Sequence, residues 1–213
     1  MEINMIDNIE TIENFMQCEQ GSFYKFLLMV RNTDGENVLY TDGMSNSKKN
    51  LLIKEWYVDS LDRYYKIKHE MITLANLTGA RLYMVLDRKS NLKLIQELAH
   101  AYIDMLSDLV QGKIIGIKGL SKVFASLTQK VETSDKAYKT LMFDVDTKDE
   151  ATLNKVKEYV ASKGQPCYIL NTKKGYHVVC FRKFNHQDWT NIGADIRDVV
   201  SVKDNDMGLV YYG

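Results

Sequence analysis

From Thr140 to Tyr212 short apolar runs alternate with segments of helical spacing, and that alternation restricts the fold more than any other feature. Thr140 to Val145 (TLMFDV) reads as a strand. Residues 151–162 have helical spacing, opened by Asp149 and Glu150, whose negative charge suits a helix N-terminus, and stopped by Gly164. Residues 167–171 and 176–181 read as strands joined by a turn over residues 172–175. Asn185 can cap a helix running through Trp189, Ile192 and Ile196. Apolar runs at 199–202 and 209–212 flank the turn-like Asp204-Asn205-Asp206. The expected order is β-α-β-β-α-β, an RRM-like split unit.

Before it the pattern predicts a β-α-β-α unit. Residues 23–31 form a dense apolar strand, Asn32-Thr33-Asp34-Gly35 a turn, and residues 37–41 a return strand. A helix is expected over 58–77 on the spacing of Leu61, Tyr64, Tyr65, Lys68, Ile72 and Ala75, capped by Asp59 or Ser60 and stopped by Gly79. A buried strand follows at 81–86. Leu92, Ile95, Leu98, Ala99, Tyr102, Leu106 and Leu109 then mark an amphipathic helix with one broad apolar face, ending at Gly112. Residues 113–136 read as an irregular or helical crossing, and 41–50 as the loosest stretch. The fold class is therefore α+β (α/β) with a mostly antiparallel sheet. With 213 residues, a single Pro and no linker-like tract, one domain is expected, residues 1–139 forming its N-terminal unit and 140–213 its core.

Charge and cysteine usage limit the function classes. Lys and Arg balance Asp and Glu at 28 each, so bulk charge gives no tight nonspecific hold on nucleic acid, while a local basic groove stays open. Cys18, Cys167 and Cys180 are widely spaced, which argues against a zinc site and for reduced thiols in a cytoplasmic protein. Residues 1–13 are acidic and resemble neither a signal peptide nor a membrane segment, so no membrane is expected among the partners.

Two short segments carry chemistry. In Phe143-Asp144-Val145-Asp146, strand alternation puts both carboxylates on one face, where they repel unless exposed or bridged by a cation. Mg²⁺ or Mn²⁺ with its oxygen ligands suits such a pair and supports phosphoryl or nucleotidyl transfer. The alternative is a plain strand end with Asp146 capping the next helix. In Asn171-Thr172-Lys173-Lys174-Gly175-Tyr176-His177, the lysines and free N–H groups of a turn can hold a triphosphate, and His177 can donate to a phosphate oxygen. The alternative there is a surface hairpin with solvated lysines and a structural histidine. A dehalogenase-type phosphatase would carry Thr or Val two residues past its second Asp, where Lys148 stands.

Taken together, FDVD on the first strand of the split unit and NTKKGYH between its second and third resemble the archaeo-eukaryotic primase superfamily, over residues 140–183. That family pairs a hydrophobic strand ending in Asp-x-Asp or Asp-x-Glu with a turn like Ser-Gly-Arg-Arg-Gly-x-His. Lys173 and Lys174 stand for the arginines, Gly175 and His177 are in place, and Asn171 and Thr172 replace the common Ser-Gly. The resemblance implies template-directed, metal-dependent addition of nucleotides in DNA replication. Asp144, Asp146 and a third acid would hold Mg²⁺ or Mn²⁺, and His177, Lys173, Lys174 and Gly175 would bind the nucleoside triphosphate. The implied partners are a single-stranded DNA template and a helicase or other replication protein. For the third acid, Asp198 is the first choice because it precedes a strand, with Asp195 and Asp204 behind it. The other readings are an inactive primase-fold module that binds nucleic acid or a partner, and a Mg²⁺-dependent phosphotransferase or phosphatase. Two further basic groups can serve nucleic acid: Lys48, Lys49, Lys54, Arg63, Lys66 and Lys68 around Trp56, Tyr57, Tyr64 and Tyr65, and Arg81, Arg88 and Lys89 at a strand end. The first group equally reads as core tyrosines with solvated lysines.

Overall fold

The computed structural model describes residues 5–31, 50–113, 117–187, 189–204 and 206–213. The expected turn at 32–35, the return strand at 37–41, the stretch 41–49 and Lys48 and Lys49 lie outside the described residues.

The protein is α+β with two antiparallel sheets. In chain order the elements are β1 (Ile6–Asp7), α1 (Ile9–Phe15), β2 (Ser22–Val30), β3 (Leu51–Val58), α2 (Leu61–Thr78), β4 (Arg81–Val85), β5 (Lys89–Ser90), α3 (Asn91–Val110), α4 (Ile117–Leu127), β6 (Thr140–Val145), α5 (Glu150–Ser162), β7 (Tyr168–Asn171), β8 (Tyr176–Phe181), α6 (Trp189–Ile192), β9 (Val200–Asp204) and β10 (Met207–Tyr212). The first sheet runs β1-β10-β4-β2-β3, with β5 paired to β2, and the second runs β7-β8-β6-β9.

Two expectations change. Residue 58 does not open a helix, because β3 runs through Val58 against Tyr24 of β2. Helix α2 begins three residues later, where the Ser60 side chain accepts a hydrogen bond from Arg63 N, and ends at Gly79, whose φ of 62° favours glycine. The expected division at residue 139 is also not a break between sheets. Strand β10 leaves the second sheet after β9 and pairs with β1 and β4 of the first.

The second sheet is covered on both faces, as the contiguous apolar residues of β6 and β8 require, and successive side chains alternate between the two. Leu141, Phe143, Val145, Val178 and Cys180 point toward Leu153, Val156, Tyr159 and Val160 of α5 and toward Trp189. Met142, Leu170, Val179 and Phe181 point the other way and join the core built by Tyr24, Phe26, Leu28, Met84 and α2. Phe15 of α1 stacks on Phe181 at 5.4 Å. One side chain ties the sheets together at their edges. Buried Asn8 donates to Asn171 O at 2.9 Å and Leu209 O at 2.8 Å, and accepts from Asn171 N at 2.8 Å. Asn8→Ala leaves backbone groups of β7 and β10 unsatisfied at once. It is expected to cost about 1–3 kcal/mol, read as a lower urea midpoint at unchanged slope.

The basic groups near the first sheet are mostly spent on structure. Arg88 is buried, donates to Gln17 O at 2.7 Å, pairs with Asp135 at 2.7 Å and Glu19 at 3.0 Å, and stacks on Tyr138. Lys89 is buried and donates to Lys130 O and Ser134 Oγ, both at 3.0 Å. Neither side chain reaches outward as the strand-end reading expects, because each has turned in to anchor the segment that follows α4. Lys54 pairs with Glu70, Lys66 with Asp62 and Lys68 with Glu13, while Trp56 and Tyr64 are core residues. Trp56 and Tyr64 follow the plain reading of that zone, whereas Tyr65 is exposed, Tyr57 is half-buried and the three lysines are ion-paired.

Candidate functional site

The two motifs meet by register. Antiparallel pairing of β6 with β8 sets Asp144 directly opposite His177 and Val145 opposite Tyr176, and pairing with β9 sets Asp144 opposite Ser201. Residues opposed across strands share a face. Asp144, His177 and Lys203 therefore project from the face that packs on the first sheet, beyond the point where Met142 and Val179 end the apolar core.

A cleft of about 340 Å³ opens there between the sheets. The second sheet contributes Asp144, Asp146, Thr172, Lys173, Lys174, His177 and Lys203, and the first contributes Arg31, Arg81, Tyr83 and Leu209. Asp206 enters from the link between β9 and β10, the two strands that lie in different sheets. Five lysine and arginine side chains face three carboxylates, a local excess of two positive charges in a chain of zero net charge. Composition alone hides this basic groove.

Asp144 is the most engaged of the acids. His177 Nε2 lies 3.3 Å from Oδ1, and Lys203 Nζ lies 2.5 Å from Oδ2. These contacts, the His177 hydrogen bond first, hold its pKa down at about 2 against the opposing effect of burial. A depressed carboxylate pKa adds stability that is present above the ordinary carboxylate range and lost only as pH falls through about 2. Lys203 is pushed the other way, chiefly by the same hydrogen bond. His177 Nδ1 is buried without a hydrogen-bond partner, so in the neutral ring the proton belongs on Nε2, facing Asp144.

The turn of the second motif is closed by its own residues. Thr172 N donates to Gly175 O and Gly175 N donates to Thr172 Oγ1, both at 3.0 Å. Gly175 lies so close to the end of β6 that an added Cβ would sit 1.9 Å from Val145 O and 2.6 Å from Thr147 O. The role of Gly175 is thus to let one motif approach the other. Lys173 Nζ donates to Tyr212 OH at 3.1 Å and sits over that ring, while Lys174 is exposed at the cleft.

The reading of Asp146 as the cap of the next helix does not hold. Asp149 caps α5, its carboxylate accepting from Thr152 N at 2.9 Å and from Ala151 N. Asp146 instead lines the cleft. Among the three candidates for a third acid, none does. Asp198 is exposed in the turn before β9, Asp195 pairs with Lys155 of α5, and Asp204 pairs with Arg182. Alternation explains Asp204, which is opposite Leu141 and so on the α5 side of the sheet. Asp206, part of the turn-like triplet, is the acid that reaches the cleft. Lys203 was readable too, since in Val-Ser-Val-Lys the residues facing the site are Ser201 and Lys203. Arg31 and Tyr83 come from the first sheet, and no local signal marks them.

Carboxylate oxygen is the donor type that a hard divalent cation takes. Asp144, Asp146 and Asp206 offer carboxylate oxygens, and the space between Asp144 and Asp206 already attracts positive charge: Lys203 Nζ is 3.8 Å from Asp206 and closer to Asp144. Among the described residues no three His, Cys, Asp or Glu side chains are gathered tightly enough to hold an ion as they stand. Lys203 Nζ occupies one oxygen of Asp144.

The fold and site together define an α+β protein with a mixed-charge cleft between two antiparallel sheets. Comparison with protein-family models, curated protein sequences and solved structures gave no significant match. Among the described residues no helix is long and apolar enough to cross a membrane.

Proposed function

We propose that the chain is a primase-type nucleotidyltransferase that adds nucleotides along a single-stranded DNA template. The observation that carries this reading is the register pairing of Asp144 with His177, which brings both motifs to one cleft of net positive lining. The strand order β7-β8-β6-β9 supports it, being the order of an RRM-like split unit when β6 is counted as the first strand.

Asp144 and Asp146 would hold Mg²⁺ or Mn²⁺, which when bound supplies neutralisation of the triphosphate and polarisation of the attacking hydroxyl. The protein's own groups do the rest. Lys174, Lys173 and Arg81 draw the triphosphate into the cleft and neutralise it. Lys203, released from Asp144, follows the added negative charge to the phosphates. His177 Nε2–H turns from Asp144 to a phosphate oxygen and fixes its position. A 3′-hydroxyl attacks the α-phosphate and loses its proton to solvent, the bond to the α–β bridging oxygen breaks, and pyrophosphate leaves, with rate gained mainly by positioning and fixed charge. The test is incorporation of labelled nucleotide on a single-stranded template with Mn²⁺, with Lys203→Met alongside. Wild type incorporates, and Lys203→Met does so with a higher KM for nucleotide.

One observation favours a second reading. On β9 the residues facing Asp144 are Ser201 and Lys203, so a lysine occupies the place where the family resemblance calls for an acid. That arrangement favours an inactive primase-fold module that binds nucleic acid or a partner without chemistry. Absence of metal-dependent nucleotide binding in calorimetry would favour it over the enzyme.

A further inference from the structure

The sequence predicts one broad apolar face on α3, but the helix carries two apolar stripes and buries only one. Leu94 is buried and Leu98 and Ala101 are half-buried against Phe23 and Leu127. Leu92, Ile95, Ala99, Tyr102, Leu106 and Leu109 form a second stripe that is exposed along its whole length. Ile103 and Val110, the latter 90% exposed, widen it on one side.

The second stripe has the form of a coiled-coil seam. Its intervals are 3-4-3-4-3, the a/d spacing of a heptad. They read the same from either end, with the centre midway between Ala99 and Tyr102. A helix with such a seam is complementary to itself about a two-fold axis. Antiparallel pairing sets Leu92 against the second copy's Leu109, Ile95 against its Leu106, and the small Ala99 against its large Tyr102. Parallel pairing would set Ala99 on Ala99 and Tyr102 on Tyr102, a gap beside a clash. We infer that α3 pairs antiparallel with α3 of a second copy of this chain.

Area supports the pairing. At roughly 100 Å² exposed apiece, the seven large side chains exceed the ~300–600 Å² patch of a typical monomer and approach the ~800 Å² each partner buries in a stable dimer. No residue of α3 lines the charged cleft, so the dimer leaves both clefts open and does not depend on their function.

Sedimentation equilibrium of the full chain tests this. Wild type is expected to reach twice its 24.6 kDa mass as concentration rises, and Ile103→Glu/Leu106→Glu to stay monomeric with unchanged circular dichroism and nucleotide binding. In a Cys18→Ser/Cys167→Ser background, mixing Leu92→Cys with Leu109→Cys chains gives an oxidised dimer that neither gives alone. A wild-type monomer at every concentration overturns the inference and leaves the seam to another protein's helix. So does a dimer that persists in the glutamate variant, or cross-linking of Leu92→Cys with itself, the parallel signature. If the glutamate variant misfolds, the wild-type mass and the cross-links still decide.

Discussion

Gly175→Ala is expected to abolish nucleotide binding and to destabilise the fold by more than the usual cost of an extra methyl group. The new Cβ meets backbone on all sides: Val145 O at 1.9 Å, Thr147 O at 2.6 Å and Thr147 N at 2.7 Å. Backbone cannot change rotamer, so the turn must pull away from the end of β6. That breaks the Thr172–Gly175 hydrogen bonds and draws the Tyr176 and His177 end of β8 out of register with Asp144. Overpacking of a core typically costs about 1–3 kcal/mol, and the upper end is expected here. Urea unfolding measures it, with Lys174→Ala as control. That side chain is exposed, so its loss should leave stability unchanged while weakening nucleotide binding.

Asp144→Asn is the second large effect. The amide keeps the shape of the carboxylate but removes the charge that His177 and Lys203 both face. Metal-dependent incorporation is expected to fall at least about 10²-fold, the scale on which a fixed electrostatic partner contributes to a reaction. Stability should change by no more than about 1 kcal/mol, because the amide oxygen can still accept from His177 Nε2 and Lys203, two-fifths exposed, can turn to water. Asp195→Asn, Asp198→Asn and Asp204→Asn should leave incorporation as it is, since none of the three lines the cleft. Any of them matching Asp144→Asn would relocate the site.

How much of this was readable in the sequence depended on how local each signal is. Strands β6 and β8 and helix α5 follow from apolar runs, helical spacing and caps, and Asp144, Asp146, Lys173, Lys174 and His177 line one cleft. Strand β3 was missed because Lys54 and Glu55 interrupt Leu-Leu-Ile-Lys-Glu-Trp-Tyr-Val and its apolar residues come in blocks, without clean alternation. Helix α1 is only seven residues long, and Asn8, which would mark its start, uses its side chain to join two sheets instead of capping. The departure of β10 to the first sheet is a matter of long-range pairing, and with it went Asp206. The α3 pattern predicted a helix correctly but not which of its two apolar stripes would turn inward.

The most direct measurement is isothermal calorimetry of a nucleoside triphosphate into the protein, with and without Mn²⁺. Expected is binding that requires the metal and vanishes in Asp144→Asn/Asp146→Asn. Binding that is the same in that variant, or no binding by the wild type with Mn²⁺ present, would contradict a nucleotide site built on these two carboxylates.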